Sequence, residues 1–206
     1  MVVRDYMSSK VITVDPQCPI ADARTLLGKH RIRQIPVVNK DRLVGIITDR
    51  DLRSTSAATK TVGEAMSAEP TVIRPMVPID EAARLLRELK VGALPVVDGN
   101  RLVGIITTAD VLDAFVELCG VTEPSYYLIL GGSDGTDTKW RVRRIIDRKR
   151  GDLKWIYRDR RSGKLQLRLK ARQVDDIVSA LEAEGFEVSK ILSPPARGRS
   201  SGPRST

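Results

Sequence analysis

The sequence predicts a mixed α/β (α+β) protein in which a strand–helix–strand–strand–helix unit is repeated and a second kind of domain follows. The first observation is a constant spacing of 59 residues, which relates Gly45 to Gly104; about 20 of the 50 aligned residues from 3 to 52 are identical. This indicates a duplication. The second observation is a shift in charge, since residues 1–120 carry 16 basic and 15 acidic residues whereas residues 121–206 carry 19 and 11.

These observations divide the chain into segments: repeat one at 1–60, repeat two at 61–122, a further domain at 125–192 and a tail at 193–206. We expect the two repeats to close on each other as a pair. The tail consists of Pro, Gly, Ser and Arg with almost nothing apolar, which predicts disorder.

Composition excludes several classes of protein. Hydrophobic residues make up 41% of the chain, and no apolar run approaches the roughly 20 residues of a membrane helix. The N-terminus lacks the apolar core of a signal peptide, so we expect a cytoplasmic protein without membrane partners. The cysteines, Cys18 and Cys119, and the single histidine, His30, predict neither a disulfide framework nor a metal site.

The repeats share one order of elements. Short lead-in helices are expected at 2–7 and 62–66, and the β-branched run 11–14 predicts a strand. Apolar residues at helical spacing follow, and then two strands around a polar turn. In copy one these strands are expected at 34–38 and 43–48, and in copy two Asp98-Gly99 is a hairpin signal. The closing helices begin at Asp49 and Thr108.

The segment beyond residue 124 follows a different order. The predicted order is βαββαβ. It consists of a strand at 126–130, a helix through 140–146, a hairpin of 153–157 with 165–169, a helix at 174–181 and a strand at 186–192.

A Thr-x-x-Asp motif closes each repeat, as Thr48 with Asp51 and as Thr107 with Asp110. This pattern is typical of a capping box at a helix start. A helix start also favours phosphate, and an exposed carboxylate there can accept hydrogen bonds from ribose hydroxyls. The two interpretations are compatible.

Each repeat resembles the CBS domain. The features that carry the resemblance occur in a fixed order: Met-Ser, a strand, a helix, Ile/Leu-Pro-Val-Val, a polar turn, and Leu-Val-Gly-Ile-Ile-Thr with Asp three residues further on. The tandem resembles a CBS pair, or Bateman module, over about residues 1–120. The resemblance implies a regulatory fold. The sequence shows no activated nucleophile, no pair of catalytic carboxylates and no Walker or dinucleotide loop, so we expect no catalysis and no catalytic cofactor. The resemblance also implies regulatory binding of adenosine ligands such as AMP, ADP, ATP or S-adenosylmethionine in clefts between strands.

The same resemblance assigns roles to residues. Asp51 and Asp110 would hold ribose, and Thr48 and Thr107 a phosphate. The strand ends would hold adenine, although β-branched strands also form plain core; these residues are Ile12, Thr13, Ile35 and Pro36 in copy one and Thr71, Val72, Leu94 and Pro95 in copy two.

The copies differ in charge near the expected phosphate position. Copy one carries His30, Arg31, Arg33 and Arg50, where copy two has Leu89, Lys90, Gly92 and Ala109. If the residues of one copy form one site, Arg33 and Arg50 lie in the site of Asp51. This predicts that ATP or ADP prefers that site. The alternative is a solvated arginine face.

The βαββαβ order in 125–192 resembles the ACT domain, a ferredoxin-like regulatory module. The Asp-x-Pro-Gly that usually follows its first strand is replaced by Gly-Gly-Ser-Asp-Gly at 131–135. A CBS pair followed by such a domain resembles the acetoin-utilisation CBS–ACT proteins of bacteria. This resemblance implies that the chain forms a homodimer and regulates a protein target.

Nucleic-acid binding is the alternative function. Residues 139–172 hold 15 basic and three acidic residues, interleaved with Trp140, Trp155 and Tyr157, as in many nucleic-acid-binding surfaces. Against it, Leu153, Trp155 and Tyr157 alternate along one strand, which predicts that all three face the helices. We therefore expect a sensor, with nucleic acid as the less favoured partner.

Overall fold

The computed structural model describes residues 1–55, 59–121, 123–132, 135 and 137–192. The tail expected at 193–206, and Ser133 and Asp134 of the glycine-rich segment, lie outside the described residues. The chain divides into two compact units, Met1–Ala114 and Phe115–Thr206.

The first unit contains the duplicated elements. In chain order they are α1 (Val3–Tyr6), α2 (Ile20–His30), β1 (Gln34–Asn39), β2 (Arg42–Thr48), α3 (Asp49–Ser54), α4 (Val62–Ala65), β3 (Ser67–Ala68), α5 (Ile79–Glu88), β4 (Ala93–Asp98), β5 (Arg101–Thr107) and α6 (Thr108–Leu118), the last of which continues into the second unit. The helices and the paired strands predicted from the repeat are confirmed.

The strands of the first unit form one sheet in the order β1-β2-β5-β4, and β3 pairs with β2. Both hairpins are antiparallel, and each has one register shift, between Val37 and Val38 in β1 and between Val96 and Val97 in β4. The hairpins meet where Arg42 in β2 pairs with Arg101 in β5. The duplication in sequence is therefore a duplication in structure.

The strand predicted at 11–14 is wrong in extent. Only Val14 bridges to a strand, parallel to Val37, with its N–H donating to Pro36 O and its carbonyl accepting from Val38 N. Ile73 makes the equivalent bridge to Val96. β-branched residues favour extended backbone, but a strand needs a partner over several residues, and here the pairing is limited to one residue.

Each lead-in helix packs into the core of the other repeat. Val3 of α1 is buried with Ile73 and Ile106 of repeat two, whereas Val62 of α4 is buried among residues of repeat one. Backbone bonds fix the exchange: Val3 N donates to Val77 O at 2.9 Å, and Val62 N donates to Cys18 O at 2.9 Å. The two repeats close on each other through this reciprocal exchange.

A methionine after each lead-in helix lies against a strand glycine of the other repeat. A Cβ added to Gly104 would lie 2.5 Å from Met7 Sδ, and one added to Gly45 would overlap Met66 Sδ. Both glycines are buried. The Gly in each Leu-Val-Gly-Ile-Ile-Thr motif therefore provides space for the exchanged segment.

The second unit contains a four-stranded antiparallel sheet and two helices of its own. Its elements are β6 (Tyr126–Gly131), α7 (Thr138–Arg148), β7 (Asp152–Arg158), β8 (Leu165–Lys170), α8 (Val174–Ala183) and β9 (Glu187–Leu192), in the sheet order β7-β8-β6-β9. This is the predicted βαββαβ order. Its core joins both helices to one face of the sheet through Leu128, Leu130, Val142, Ile145, Ile146, Leu165, Leu167, Leu169, Ile177 and Leu181.

The prediction that Leu153, Trp155 and Tyr157 share a face toward the helices is wrong. The register shifts between Leu153 and Trp155, and such an irregularity changes the face that later side chains occupy. Leu153 and Ile156 pack on the core, whereas Trp155 pairs with Arg168 and Tyr157 with Gln166. These two aromatic residues therefore lie on the sheet face opposite the helices.

None of the described helices is long and apolar enough to cross a membrane.

The close approach of Met7 to Gly104 predicts a stability effect. Gly104→Ala should lower the free energy of unfolding by about 1–3 kcal/mol, because overpacking of this kind forces side chains to shift. Urea denaturation followed by circular dichroism measures the change.

The matched control is Gly28→Ala in α2, where an added Cβ meets no atom within 4 Å; helix propensity should make it stabilising by about 0.5 kcal/mol. Met7→Ala combined with Gly104→Ala should cost less than the sum of the single changes. Strict additivity would show that the methionine and the glycine are not in energetic contact.

Candidate functional site

Both Thr-x-x-Asp motifs form complete capping boxes. At the start of α3, Thr48 N and Thr48 Oγ1 donate to Asp51 Oδ2 at 2.9 and 2.7 Å, and Asp51 N donates to Thr48 Oγ1 at 3.2 Å. At the start of α6, Thr107 and Asp110 repeat the arrangement with distances of 2.7, 2.7 and 3.3 Å. The capping interpretation is confirmed in both repeats.

The box engages one oxygen of each carboxylate. Oδ2 accepts both hydrogen bonds from the threonine, and within the described part of the chain no hydrogen bond reaches Oδ1 of Asp51 or Asp110. Asp51 is half-buried. A carboxylate held in this way can keep its helix cap while its second oxygen accepts hydrogen bonds from a ligand.

One cleft, which we call the first cleft, has a volume of about 760 Å³ and opens beside Thr48 and Asp51. Its opposite wall comes from repeat two, through Thr71, Leu94 and Pro95. The lining therefore combines a helix start and a carboxylate from one repeat with a largely apolar wall from the other.

The second cleft, of about 570 Å³, interchanges the repeats: it combines the helix start of repeat two with strand ends of repeat one, and no carboxylate is among its described lining residues. Thr107 and the two residues after it come from repeat two, and Ile12 and Pro36 come from repeat one. Pro36 is buried and Ile12 is half-buried.

The grouping of site residues by copy is therefore wrong for the strand ends, although Arg33 and Arg50 do line the same cleft as Asp51. Thr48 and Asp51 share a cleft with Thr71, Leu94 and Pro95, not with Ile12 and Pro36. The reason is the closure of the repeats on each other, which places the helix start of one repeat opposite the strand ends of the other.

Some predicted site residues do not line either cleft. Ile35 is fully buried in the core of repeat one. Thr13 and Val72 lie next to lining residues, and Asp110 caps α6 beside the lining residues Thr107 and Ala109. Of the predicted strand-end pairs 12–13 and 71–72, Ile12 and Thr71 therefore line a cleft and their partners do not.

The clefts share residues that the sequence did not single out. Gln34 and Gly92 line both, together with the predicted Arg33. A Cβ on Gly92 would lie 3.2 Å from Gln34 Oε1, so these residues approach each other closely. Residues 33 and 92 occupy aligned positions in the duplication, and both line both clefts. This alignment was the signal in the sequence that related the two positions.

The charge difference between the clefts is smaller than the copies suggest. The first cleft is lined by Arg33, Arg50, Arg53 and Lys90, of which Arg53 pairs with Asp49. The second is lined by Lys10, Arg31 and Arg33. Arg31 of copy one lies in the second cleft and Lys90 of copy two in the first, so both clefts can attract an anion.

In the part of the chain that the structure describes, no group of three His, Cys, Asp or Glu side chains is placed to hold a metal ion.

Known protein families match mainly the part of the chain that contains the two repeats. A profile of the CBS domain matches residues 3–58 and again residues 62–117. The CBS domain-containing protein YhcV of Bacillus subtilis is 37% identical over 113 residues, which cover 52% of this chain and 81% of that protein. Inosine-5'-monophosphate dehydrogenase of B. subtilis is 35% identical over 140 residues, but the match covers 28% of that enzyme.

Solved structures give the same result. CBSX2 in complex with AMP matches 57% of this chain and 97% of its own, with 32% identity and a TM-score of 0.54. The CBS domain pair of MJ0100 with 5'-methylthioadenosine and S-adenosyl-L-methionine matches 57% of this chain and 97% of its own, with 32% identity and a TM-score of 0.53. A Vibrio cholerae chain named as a putative acetoin utilization protein (AcuB) matches 59% of this chain and 95% of its own, with 31% identity and a TM-score of 0.54.

The duplicated hairpins, the paired capping boxes, and a profile that matches both repeats agree with one another, and the chain belongs to the CBS domain family.

Proposed function

We propose that the CBS pair is a non-catalytic regulatory sensor that binds adenosine-containing ligands in the first and second clefts. The observation that carries the proposal is the first cleft, which is lined both by Asp51, a carboxylate that uses only Oδ2 in its helix cap, and by the apolar Leu94 and Pro95. Ribose needs acceptors for its hydroxyls, and adenine needs a flat apolar slot. AMP and S-adenosyl-L-methionine in the structures of CBSX2 and MJ0100 support this ligand class.

In the proposed first site, Asp51 accepts hydrogen bonds from the ribose hydroxyls. A phosphate lies at the helix start beside Thr48, whose hydroxyl would leave Asp51 Oδ2 in order to donate to it. Leu94 and Pro95 contact the adenine ring, with Thr71 at its edge. The phosphate tail lies toward Arg33, Arg50 and Lys90 at the start of α3, where backbone N–H groups also favour an anion.

In the proposed second site, Thr107 takes the place of Thr48, and Ile12 and Pro36 contact adenine. Arg31 and Lys10 supply positive charge. Because Arg33 serves both sites, we expect the preference of ATP or ADP for the first cleft to be modest, and to depend on Arg50.

We propose the domain limits 1–60, 61–122 and 125–192, the last as an ACT-like module. Its support is the βαββαβ order and the sheet order β7-β8-β6-β9, which a split βαβ arrangement produces. Binding in the CBS pair would act on this module or on a protein target.

We also propose a homodimer. Leu112, Phe115 and Leu118 form a stripe on α6 with exposures of 59%, 58% and 60%. Apolar side chains at this spacing cover one side of a helix, and contiguous exposed apolar surface marks interaction sites.

The ribose role of Asp51 is tested by two substitutions at the same position. Asp51→Asn keeps an oxygen for the cap, whereas Asp51→Ala removes it; both should weaken AMP binding about tenfold to a hundredfold, because hydrogen bonds to ribose are lost. Only the alanine variant should also lose about 1 kcal/mol of stability with its cap. Titration calorimetry and thermal unfolding separate the two effects.

Asp110→Asn is the matched comparison and should weaken AMP binding less, since Asp110 does not line its cleft. Unchanged AMP affinity in Asp51→Asn would show that Asp51 is a helix cap alone.

The shared position of Arg33 predicts a difference between two arginine variants. Arg50→Ala should lower ATP affinity about tenfold in one site, whereas Arg33→Ala should do so in both, because each arginine donates charge-assisted hydrogen bonds to phosphate. Adenosine affinity should change little. Calorimetric titration with ATP and with adenosine resolves the two sites.

The control is Arg87→Ala on α5, whose side chain is 81% exposed and lies outside both clefts. Equal losses for ATP and adenosine in the Arg33 or Arg50 variants would assign these arginines a structural role.

The stripe on α6 predicts the oligomeric state. Sedimentation should give a mass near twice 22.8 kDa for the native chain and a monomer for Phe115→Glu, because a buried charge opposes association. Met76→Glu, at a site 63% exposed outside the stripe, should remain a dimer. A native chain that sediments as a monomer would contradict the proposal.

A further inference from the structure

The helix α7 presents a basic face that the sensor function does not use. Val142, Ile145 and Ile146 face the core, and the opposite side carries Trp140, Arg143, Arg144 and Arg148 with one acidic residue, Asp147, all exposed. These residues follow the spacing i, i+3, i+4, i+7 and i+8, so they lie on one side of the helix. We call this set the α7 face.

Trp140 is the unusual member of the α7 face. Its exposure is 59%, although the helix already has a complete apolar side for the core. The Arg144 guanidinium lies 5.2 Å from the centre of its ring. A ring exposed beside a cation can stack on another flat group and hold an anion next to it.

Few acidic groups neutralise this face. Arg143 approaches Asp147 at 4.0 Å, the limit of an ion pair. Arg144 and Arg148 have no acidic partner within 4.0 Å among the residues described. The adjoining residues Lys149 and Arg150 are exposed as well. The guanidinium groups of Arg144 and Arg148 are therefore open to an external anion.

Further positive charge lies at the end of the sheet where α7 begins. β6 and β7 are both antiparallel to β8 and so run in the same direction, which places the start of α7 and the β7–β8 turn at the same end. That turn exposes Arg160, Arg161 and Lys164. The positive surface of the second unit thus extends beyond the helix.

Two other aromatic residues of this unit are engaged within the chain. Trp155 Nε1 donates to Cys119 O at 2.8 Å, Tyr127 Oη donates to Gln166 Oε1 at 2.7 Å, and the two rings lie 5.8 Å apart. Tyr157, on the sheet face opposite the helices, is 49% exposed, but Trp140 is more exposed and has the Arg144 guanidinium beside its ring. Trp140 is the better platform for an external ring.

We infer that the α7 face binds single-stranded nucleic acid, with Arg144 and Arg148 on phosphates and Trp140 stacked on an unpaired base. Arginine matches phosphate with paired donors and stacks well beside aromatic rings. A duplex keeps its bases stacked on each other, so it offers no ring to Trp140. An anionic membrane surface is less favoured, since Trp140 is the one large apolar side chain on this face and interfacial helices bury a broad apolar side.

The test uses fluorescence anisotropy of a labelled oligothymidine with the full chain. Oligothymidine carries no adenine, so it does not address the proposed adenosine sites. The native chain should bind with an affinity that falls as salt rises. Arg144→Gln with Arg148→Gln should weaken binding at least tenfold and flatten the salt dependence by roughly 1.4 in the log–log slope, because each lost phosphate contact on a single strand removes about 0.7. Trp140→Ala should weaken binding about tenfold through loss of one base stack.

The matched control for charge is Arg74→Gln with Arg87→Gln, which removes two exposed arginines of the first unit and should change oligothymidine affinity less than twofold. Circular dichroism should show that all variants are folded, since every changed side chain is exposed. Saturating AMP should leave oligothymidine binding unchanged.

Four results would overturn the inference: no oligothymidine binding by the native chain, equal losses in both double variants, competition by AMP, or native affinity in Trp140→Ala. Binding to phosphatidylserine vesicles without binding to oligothymidine would assign the face to membranes instead. A duplex of the same length should bind more weakly, and its affinity should not depend on Trp140.

Discussion

The reciprocal exchange of the lead-in helices is the constraint on which the first unit depends. Val3 and Val62 each complete the core of the opposite repeat, and Met7 and Met66 lie against the glycines in the middle of the opposite strands. Neither repeat has a complete core without the other. Because the exchange is reciprocal, closure brings aligned positions 33 and 92 together between the clefts. The clefts are therefore consequences of the same packing that stabilises the pair.

The capping box connects this packing to chemistry. It fixes the carboxylate of Asp51 with one oxygen turned to the helix start, at the edge of a cleft whose other wall belongs to repeat two. Stabilising the helix and presenting an acceptor use different oxygens of one side chain, so they do not compete. A ligand that spans both walls would contact both repeats, and this is how binding could alter the pair as a whole.

Much of the fold could be predicted from the sequence, because hydrophobic periodicity and the 59-residue repeat are local or nearly local signals. The grouping of the site could not, since it depends on how two repeats close and not on either alone. The faces of Trp155 and Tyr157 were missed for a related reason: the register shift after Leu153 is set by pairing with β8, and alternation along a single strand does not reveal it. Residues whose environment is decided by a partner strand or repeat are those that sequence reasoning misplaced.

Each proposed adenosine site is built from both repeats. A crystal structure of the chain with AMP would show whether one ligand contacts both. We predict ribose hydroxyls within hydrogen-bond distance of Asp51 Oδ1, and the adenine ring of the same molecule against Leu94 and Pro95. An AMP molecule whose ribose contacts Asp51 while its base packs on Ile12 and Pro36 of the same repeat, or one bound outside both clefts, would contradict the account.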